Sequence, residues 1–578
     1  MPLPRTLASA GHRDLDLRLA AGRWPEGLRG ELVLSAPGPR GVFRYSLFSP
    51  GHVVRLSLEP GRFGAPPDRF AWRARRIESP SVRLFDARPD VFRAVGPGML
   101  SPFGLMNMSN TAPLVWKGRL FTTWDVGRPV ELDPVSLDFL GEVGSKASWG
   151  SSMPMPGVLP FILSTAHPVV DPERDVLWTA KLAPVAGGLQ PYVVRYSGEG
   201  RSVGTWPIEG AVLDGTLHTL SQTREWLILI DSGNFKTDPG ELRGGPRTRL
   251  MDFSSPAFLV RKADIETTPV GQPVAMRRFE IAPPTGHYYA CFDDRDGIRI
   301  LFEHMDGVDL GFFLKADDLD AFGKPIDPSQ VGLYNMGMCP SSLSELRFEL
   351  ETGKVHEIAR VRGEETWNNQ LSAMDWSASG LAEPTLHHMI FSGYRPHNVS
   401  QRALHAYRER IDARSLPGAE TPCALISYAR GTLREHGRYV WPSCEDWAGS
   451  PIFVPRDPGV ESGRGGRGED TGTAPGGHDG WVVVPVLRDD GLRVECFDAG
   501  RVEAGPIATL AGPANAAQGL LLHSAWLPAA RPAPSIERLR FSDDLTAAEL
   551  ARLPDDDLRR VARQVAEELD QESAQRGH

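Results

Sequence analysis

The sequence predicts an all-β protein. Short apolar segments follow one another along the chain, and Gly, Pro, Asp or Asn bound most of them. The chain has 60 glycines and 50 prolines among its 578 residues, which suits a fold with many turns. Regularly punctuated short strands are typical of β-sandwiches, β-barrels and β-propellers. No repeat of about 40 residues is visible, so the pattern alone leaves these three architectures open.

The predicted strands extend from residue 30 to residue 500. Each is a run of apolar residues ended by turn-forming residues. In chain order they are GELVLSA, GVFRYSLF, HVVRLSLEP, RLFTTWD, DVLWTAKL, YVVRYSG, EWLILID, AFLVRKA, RRFEIA, IRILFEHM, SELRFELE, HHMIFSG, ALISYAR, PIFVPR, WVVVPVL and RVECFDAG.

Two segments differ from this pattern. The run at 461–480, ESGRGGRGEDTGTAPGGHDG, is Gly-rich and charged, so we predict a disordered surface loop. After residue 535 the chain becomes helical. Thr546 and Glu549 form a capping-box pattern, and apolar residues then recur at helical spacing at Leu558, Val561, Val565 and Leu569. We therefore predict a β domain over 1–535 and a helical extension over 536–578, which packs on the domain or, alternatively, contacts a partner.

Composition limits the function. The formal net charge is −10 and the isoelectric point is about 5.9, so no general basic field is present to neutralise phosphates. Because nucleic-acid binding depends on such a field, DNA and RNA are excluded as expected partners.

Cysteine usage and the N-terminus indicate the compartment. The five cysteines are scattered and form no CxxC pair, which is typical of a reducing compartment; they are Cys291, Cys339, Cys423, Cys444 and Cys496. The N-terminus has no uninterrupted apolar core, and no stretch approaches the roughly 18 apolar residues of a spanning helix. We expect a cytoplasmic protein.

Four histidines each begin a short apolar segment. They are His167, His218, His287 and His523, in TAHPVVDP, LHTLSQT, HYYACFDD and LHSAW. Neutral imidazole binds iron, zinc, copper and nickel, and four neutral donors leave the full charge on a divalent ion. The gaps of 51, 69 and 236 residues match no short zinc pattern, however, so spacing alone leaves a structural role for each histidine open.

The sequence segments around these histidines resemble those of the carotenoid cleavage oxygenases, a family that includes the animal retinoid isomerase and bacterial stilbene-cleaving enzymes. TAHPVVDPERDVLW, LHTLSQTREWLILID, GHYYACFDDRDGIRILFEH and LLHSAWLP are similar to the family's four histidine phrases and occur in the same order. NTAPLVWKGRLFTTWDVGRPVELDPVSL and PIFVPRDPG extend the resemblance, which covers roughly residues 30 to 535.

This resemblance implies a seven-bladed β-propeller with a cap of helices and loops over an axial metal site. The four histidines would hold Fe(II), with one or two coordination positions left for dioxygen. The implied activity is that of an oxidoreductase, a dioxygenase that cleaves a conjugated double bond of a carotenoid or apocarotenoid to two carbonyl products. The implied partners are a lipophilic polyene and O₂, and the oligomeric state is left open.

The chain departs from the family in the carboxylates that hold the histidine rings. The family uses three glutamates, whereas this chain has Asp125 at the first position and Ser450 at another. The third falls near Glu365 or Thr366. These changes favour an alternative function, a catalytically impaired or repurposed four-histidine propeller that binds a lipophilic isoprenoid. Because four protein ligands without a nearby general base resemble a closed site, a hydrolytic zinc centre is less favoured.

The substrate route is predicted from apolar residues. Stilbene-cleaving relatives carry a lysine just before the first carboxylate, whereas this chain has Trp124, which favours a polyene over a stilbene-type alkene. In SSMPMPGVLPFIL, Met153, Met155, Leu159 and Phe161 form either a tunnel lip that contacts a membrane peripherally or a buried loop between blades.

A second histidine group is a rival candidate for a metal site. It consists of His387, His388 and His397, in HHMIFSGYRPHN. Adjacent residues of a strand point to opposite faces, so His387 and His388 are not expected to share one ion.

Overall fold

Antiparallel sheets follow one another along the chain in the computed structural model of the protein. The structure describes residues 12–38, 46–95, 98–153, 155, 157–242, 245–373, 384–456, 479–488, 491–513 and 520–575. Of the predicted strands, GVFRYSLF lies mostly outside this part, and its last three residues form a short 3₁₀ helix instead. The other fifteen segments all contain or overlap a strand.

The strands are labelled in chain order. The first group is β1 Arg13–Gly22, β2 Glu31–Pro37, β3 Gly51–Ser57, β4 Arg69–Arg76, β5 Arg93–Val95, β6 Gly98–Ser101 and β7 Gly104–Leu105. The second group is β8 Ala112–Trp116, β9 Arg119–Thr123, β10 Val130–Leu132, β11 Phe139–Glu142, β12 Leu163–Ser164, β13 Val169–Asp171, β14 Val176–Val185, β15 Gly188–Tyr196, β16 Gly204–Pro207, β17 Leu220–Gln222, β18 Trp226–Ile230, β19 Ser255–Arg261 and β20 Arg277–Ile281. The third group is β21 Thr285–Ala290, β22 Ile298–His304, β23 Ser342–Glu349, β24 Lys354–Val361, β25 Asn369–Ala373, β26 Leu386–Phe391, β27 Ala424–Ala429 and β28 Glu435–Val440. The last group is β29 Trp447–Ala448, β30 Ile452–Pro455, β31 Gly480–Arg488, β32 Gly491–Asp498, β33 Ala508–Ala511 and β34 Ser524–Leu527.

The helices are short except for the last one. They are α1 Pro80–Ala87, α2 Lys146–Trp149, α3 Pro239–Leu242, α4 Lys262–Thr267, α5 Gln401–Ala406, α6 Phe541–Asp544, α7 Ala547–Ala551 and α8 Asp556–Gln575. Single 3₁₀ turns occur at Ser46–Phe48, Pro89–Val91, Pro328–Gln330, Pro396–Asn398, Ala413–Ser415 and Val502–Ala504.

The sheets form the blades of a seven-bladed β-propeller, as predicted. Five sheets contain β8–β11, β12–β16, β17–β20, β21–β24 and β25–β28, each built from consecutive strands. A ten-stranded sheet supplies the other two blades, since β33 pairs with β1 and so joins β29–β33 to β1–β4. The small sheet β5–β7 stands apart from these blades.

The ring is closed by the two ends of the chain. Strand β34 pairs antiparallel with β2, with Leu34 opposite Ser524 and Glu31 opposite Leu527. It also contacts β8, the first strand of one neighbouring blade, and β30 of the blade β29–β33. The last strand of the propeller therefore completes a blade that begins near the N-terminus.

Blades pack through apolar side chains on both of their faces. In β18, Leu227 and Leu229 belong to one buried cluster, whereas Ile228 and Ile230 belong to the next. Because successive side chains of a strand point to opposite faces, a strand packed between two blades needs apolar residues throughout. This explains uninterrupted runs such as WLILI.

The C-terminal helices pack on the propeller. Thr546 accepts a hydrogen bond from the backbone N of Glu549 at 3.2 Å, which is half of the predicted capping box. The predicted apolar face of α8 is buried in a cluster that includes Val82 and Leu84 of α1. An ion pair of 3.0 Å between Arg83 and Glu572 ties the same two helices together. The predicted helical tail is therefore present, and it covers part of the body.

Two further predictions concern the loop at 461–480 and membrane-spanning helices. Residues 461–478 of the predicted loop lie outside the described residues, whereas Asp479 and Gly480 are described and Gly480 begins β31. Among the helices of the described residues, none is both long and apolar enough to cross a membrane.

Candidate metal centre

The four histidines lie in or close to strands of four different blades. His287 is in β21, and His523 directly precedes β34. His218 lies just before β17, and His167 lies between β12 and β13. Backbone hydrogen bonds hold these entries together: the N of His167 donates to the O of His218 at 3.1 Å, and the N of His523 donates to the O of Thr111 at 3.3 Å. The ring arrangement thus brings together residues that are far apart in sequence.

The four imidazole rings surround a common point. One ring nitrogen from each lies within 4.8 Å of the others. The Nε2 atoms of His218 and His287 are 3.2 Å apart, and the ring centroids of His167 and His523 are 4.3 Å apart. In the described part of the chain, no other group of three or more His, Cys, Asp or Glu side chains has a metal-binding arrangement.

The electrostatics of this cluster suit a cation. Burial lowers the pKa of His167 and His523 well below the usual 6.5, and the neighbouring rings lower it further. Burial also lowers the pKa of His287. The Nε2 of His167 is buried and has no hydrogen-bond partner among the described residues. Nitrogen donors that converge on one point in a buried site fit a divalent metal ion.

Asp125 holds the ring of His218. Its Oδ1 lies 2.8 Å from Nδ1 of His218, so the opposite nitrogen, Nε2, faces the centre of the cluster. Asp125 stands two residues after β9, in the TTWDVG turn, where the sequence predicted a carboxylate behind a site histidine. Such a partner fixes the orientation and the tautomer of an imidazole.

Glu303 occupies the corresponding position behind His287. The two residues are directly opposite each other on β21 and β22, and Oε2 of Glu303 lies 3.3 Å from Nδ1 of His287. On its other side, Oε1 lies 3.0 Å from Nε2 of His387. Burial would raise the pKa of Glu303, but the two histidines hold it well below 4.5, so the carboxylate is ionised. Sequence reasoning missed this residue.

The prediction of Glu365 for this position is wrong. Glu365 is partly exposed and forms an ion pair with Arg438. The alternative, Thr366, donates a hydrogen bond to the O of Ser341 at 2.7 Å. Both residues lie in the turn before β25, which begins only at Asn369, so neither is carried into the centre by a strand.

Ser450 contacts Ser524, the residue that follows His523. Its Oγ is 2.8 Å from the Oγ of Ser524, which in turn donates to the O of Pro451 at 2.6 Å. Ser450 is buried, but it contacts the residue after His523 rather than the imidazole. Within the described ranges, no carboxylate lies within ion-pair distance of His523, so the cluster has carboxylate partners for His218 and His287 only.

The rival histidine group does not form a site. His387 faces Glu303, whereas Nδ1 of His388 lies 2.7 Å from the Oγ of Ser427. His397 lies elsewhere, with Nδ1 2.6 Å from Asp320. The adjacent residues of β26 thus point to opposite faces.

An apolar cluster adjoins the carboxylate of Asp125. Trp124 is buried and its ring centroid lies 6.2 Å from that of Phe48, which in turn contacts Phe313 at 5.8 Å. Leu159 belongs to the same cluster. Of the predicted tunnel lip, Leu159 is therefore buried in this cluster.

The remaining residues of that lip are nearer to solvent. Met155 and Phe161 are partly buried, and Met153 is 36% exposed. The predicted membrane contact remains a prediction.

Comparisons with known proteins agree with this fold. The family model described as retinal pigment epithelial membrane protein matches residues 7–528. A variant of Synechocystis apocarotenoid oxygenase has a similar structure, with a TM-score of 0.58 and 16% sequence identity over 90% of this chain and 97% of that one.

Two further solved structures are similar to the same extent. Cobalt-substituted Synechocystis apocarotenoid oxygenase has a TM-score of 0.58 and 17% identity over 90% of this chain and 97% of that one. Pseudomonas brassicacearum lignostilbene dioxygenase has a TM-score of 0.58 and 15% identity over 91% of this chain and 99% of that one. No curated protein matched the sequence.

Proposed function

The chain belongs to the retinal pigment epithelial membrane protein family, and from that premise we propose that it is a non-haem Fe(II) dioxygenase. Its substrate would be a carotenoid or apocarotenoid, cleaved at a conjugated carbon–carbon double bond to two carbonyl products. The observation that carries this proposal is the convergence of four imidazoles, one nitrogen from each within 4.8 Å. The likeness in fold to an apocarotenoid oxygenase supports the substrate class.

The four histidines would hold the iron. They are neutral donors, so they leave the full charge of the ion uncompensated in its first shell of ligands. When bound, Fe(II) supplies the activation of dioxygen that oxidative cleavage of an alkene requires.

Asp125 and Glu303 orient two of the donors. Each carboxylate faces an Nδ1 atom, which keeps the proton on that nitrogen and leaves the Nε2 lone pair directed to the centre. They also place two negative charges just outside the ring of neutral donors. This arrangement fixes His218 and His287 as ligands without occupying a coordination position.

The apolar cluster beside Asp125 would hold the substrate. Trp124, Phe48 and Leu159 present aromatic and aliphatic surface, which suits a polyene and excludes water. These side chains offer no acid or base for the reaction, so their contribution is to position a double bond near the centre. Trp124 also favours a polyene over a phenolic stilbene, because no lysine stands at that position to bind a phenol.

A second function remains a candidate because of Ser450. The pair of Ser450 and Ser524 stands beside His523, where no carboxylate holds the imidazole in the described structure. A centre held less firmly at one donor is compatible with a repurposed propeller that binds a lipophilic isoprenoid without cleaving it. Replacing Ser450 with Glu would then raise iron affinity or create turnover.

The test is metal content followed by turnover. Protein purified without oxygen is analysed for iron by mass spectrometry, with His218→Ala and His523→Ala as site variants and His388→Ala as a matched control on β26. We expect about one iron per chain in the wild type and the control, and near-complete loss in both site variants. Iron-loaded protein is then incubated with apocarotenoids under ¹⁸O₂.

The outcomes separate the candidates. Two labelled carbonyl products from the wild type support cleavage. Stoichiometric iron with retention of an intact isoprenoid supports the binding function. Failure of the wild type to take up iron, even when Fe(II) is added, rules out the oxygenase, and a preference for zinc with hydrolytic turnover would favour the less expected zinc centre.

A further inference from the structure

We propose that His387 is a positioning residue of the metal centre, acting on His287 through the carboxylate that both share. This inference rests on the proposed function, because it presumes a metal ion at the four-histidine cluster. It assigns a role to a histidine that lies outside the cluster and that is linked to it through Glu303.

The shared carboxylate bridges two blades. His287 and Glu303 are opposite each other in the fourth blade, on β21 and β22, whereas His387 lies on β26 of the fifth. Oε2 of Glu303 is 3.3 Å from Nδ1 of His287, and Oε1 is 3.0 Å from Nε2 of His387. Each oxygen therefore faces a different histidine.

The bridge is isolated from solvent and from other charges. The residue exposures of Glu303 and His387 are both 0%, and that of His287 is 4%. In the described structure, no Lys or Arg pairs with Glu303, so the two imidazoles are its only charge-stabilising partners. A buried carboxylate is strongly unfavourable unless it is paired, so both contacts stabilise Glu303 in this place.

The position of His387 is fixed by its surroundings. It is paired in register with Tyr428 of β27, and its ring lies 6.3 Å from the ring of Tyr289, on the strand that carries His287. A carboxylate held by a fixed partner at Oε1 cannot rotate freely about its own side chain. Oε2 is therefore kept toward Nδ1 of His287, and Nε2 of His287 is kept toward the centre.

Loss of His387 should loosen this arrangement. Without a partner at Oε1, the carboxylate is free to rotate, which weakens its hold on His287. Residues that orient a metal ligand through a carboxylate typically change metal affinity about 10- to 100-fold when lost. Because His387 is one contact further away, we expect an effect near the lower end, about tenfold.

The experiment uses Co(II) as the probe in the full-length protein. Its dissociation constant is measured by competition with a chelator, and its visible absorption spectrum reports the ligand geometry. His387→Gln and His387→Asn form a matched pair, since both keep a polar amide but only glutamine extends as far as the imidazole. His388→Gln, on the opposite face of the same strand, controls for replacement of a buried histidine.

The expected result is a graded loss. His387→Asn weakens Co(II) binding about tenfold and shifts its spectrum, whereas His387→Gln stays within about threefold and His388→Gln matches the wild type. The double variant Glu303→Gln with His387→Asn binds no more weakly than Glu303→Gln alone, since His387 acts through that carboxylate.

Three results would overturn the inference or its premise. Unchanged affinity and spectrum in His387→Asn, with a wild type that binds Co(II), sinks the role of His387 and leaves the proposed function intact. Additive losses in the double variant sink the route through Glu303. A wild type that binds no Co(II) or Fe(II) overturns the proposed function itself. If His387→Asn does not fold, His387→Ser, which also lacks an atom that reaches Oε1 of Glu303, takes its place in both comparisons.

Discussion

Asp125 and His218 form a close pair in the structure, with 2.8 Å between Oδ1 and Nδ1. The carboxylate comes from the turn after β9, and the imidazole comes from the entry to a blade two sheets further along the chain. Their contact therefore joins the first of the middle blades to the third at the centre of the ring. We expect a substitution at Asp125 to affect the candidate metal centre more strongly than the stability of the fold.

Asp125→Asn should lower Fe(II) affinity about 10- to 100-fold, because the neutral amide holds the imidazole less strongly and can present the wrong group to Nδ1. Asp125→Glu restores the charge and should bind more tightly than the asparagine variant. The measurement is competition with a chelator under anaerobic conditions. Asp317→Asn, at an exposed position, is the control and should bind iron like the wild type. Equal affinity for Asp125→Asn and wild type would contradict this role.

Trp124→Leu should lower turnover of an apocarotenoid while leaving iron content unchanged, because Trp124 packs in the apolar cluster beside the centre and is not a donor. Trp116→Leu is the matched control, since Trp116 is equally buried but belongs to a different cluster. Both variants should lose stability through the volume removed from a packed core. Product formation by iron-loaded protein separates them: a similar loss of turnover in both variants would argue against a substrate role for Trp124.

Asp544→Ala should destabilise the protein by about 3 kcal/mol, near the low end expected for breaking a buried ion pair. Asp544 pairs with Arg128 at 2.6 Å, and both side chains are almost completely buried. Arg128 keeps Glu142 as a second partner, which limits the loss. Urea unfolding measures the effect. Asp556→Ala, whose side chain is 98% exposed, should change stability by no more than about 0.5 kcal/mol; equal effects of the two substitutions would contradict the importance of the buried pair.

The metal-free protein should lose stability as the pH falls from 6.5 to about 4. Burial lowers the pKa of His52 and of His304 from 6.5 to about 4, so both stay neutral in the folded state over this range. The unfolded state binds the extra protons, and the free energy of unfolding therefore decreases with falling pH. Each histidine contributes a slope of up to about 1.4 kcal/mol per pH unit.

Urea unfolding at several pH values checks this expectation. A double variant, His52→Gln with His304→Gln, should show a shallower slope than the wild type. His356→Gln, at an exposed position, should leave the slope unchanged. The same slope in the double variant and the wild type would show that other groups cause the acid sensitivity.

Much of the fold could be predicted because strand patterns are local. Runs such as WLILI are apolar throughout, since both faces of a blade are buried, and turn residues mark their ends. The four histidines could be found because each occurs in a phrase that resembles one family. Their convergence was not visible in the spacing, because it depends on the closure of a ring of blades.

The carboxylates behind the histidines were harder to predict. Glu303 meets His287 only because β21 and β22 pair in one particular register, and an irregularity in that pairing lies between Thr285 and His287. A shift of one residue would turn Glu303 to the opposite face of the sheet. His387 comes from another blade altogether, so no pattern near His287 indicates it. Glu365 was favoured by similarity of sequence alone, and the turn before β25 directs it to Arg438 instead.

Because β34 closes the ring, the four imidazoles come together only late in the synthesis of the chain. His167, His218 and His287 emerge with the middle blades, but His523 emerges only with the strand that pairs with β2. A nascent chain therefore carries three of the four imidazoles once His287 has been made, and it gains the fourth only near the end of its synthesis. Under the proposed function, all four imidazoles would hold a metal ion only after β34 has paired with β2, so the affinity for the ion would depend on closure of the ring.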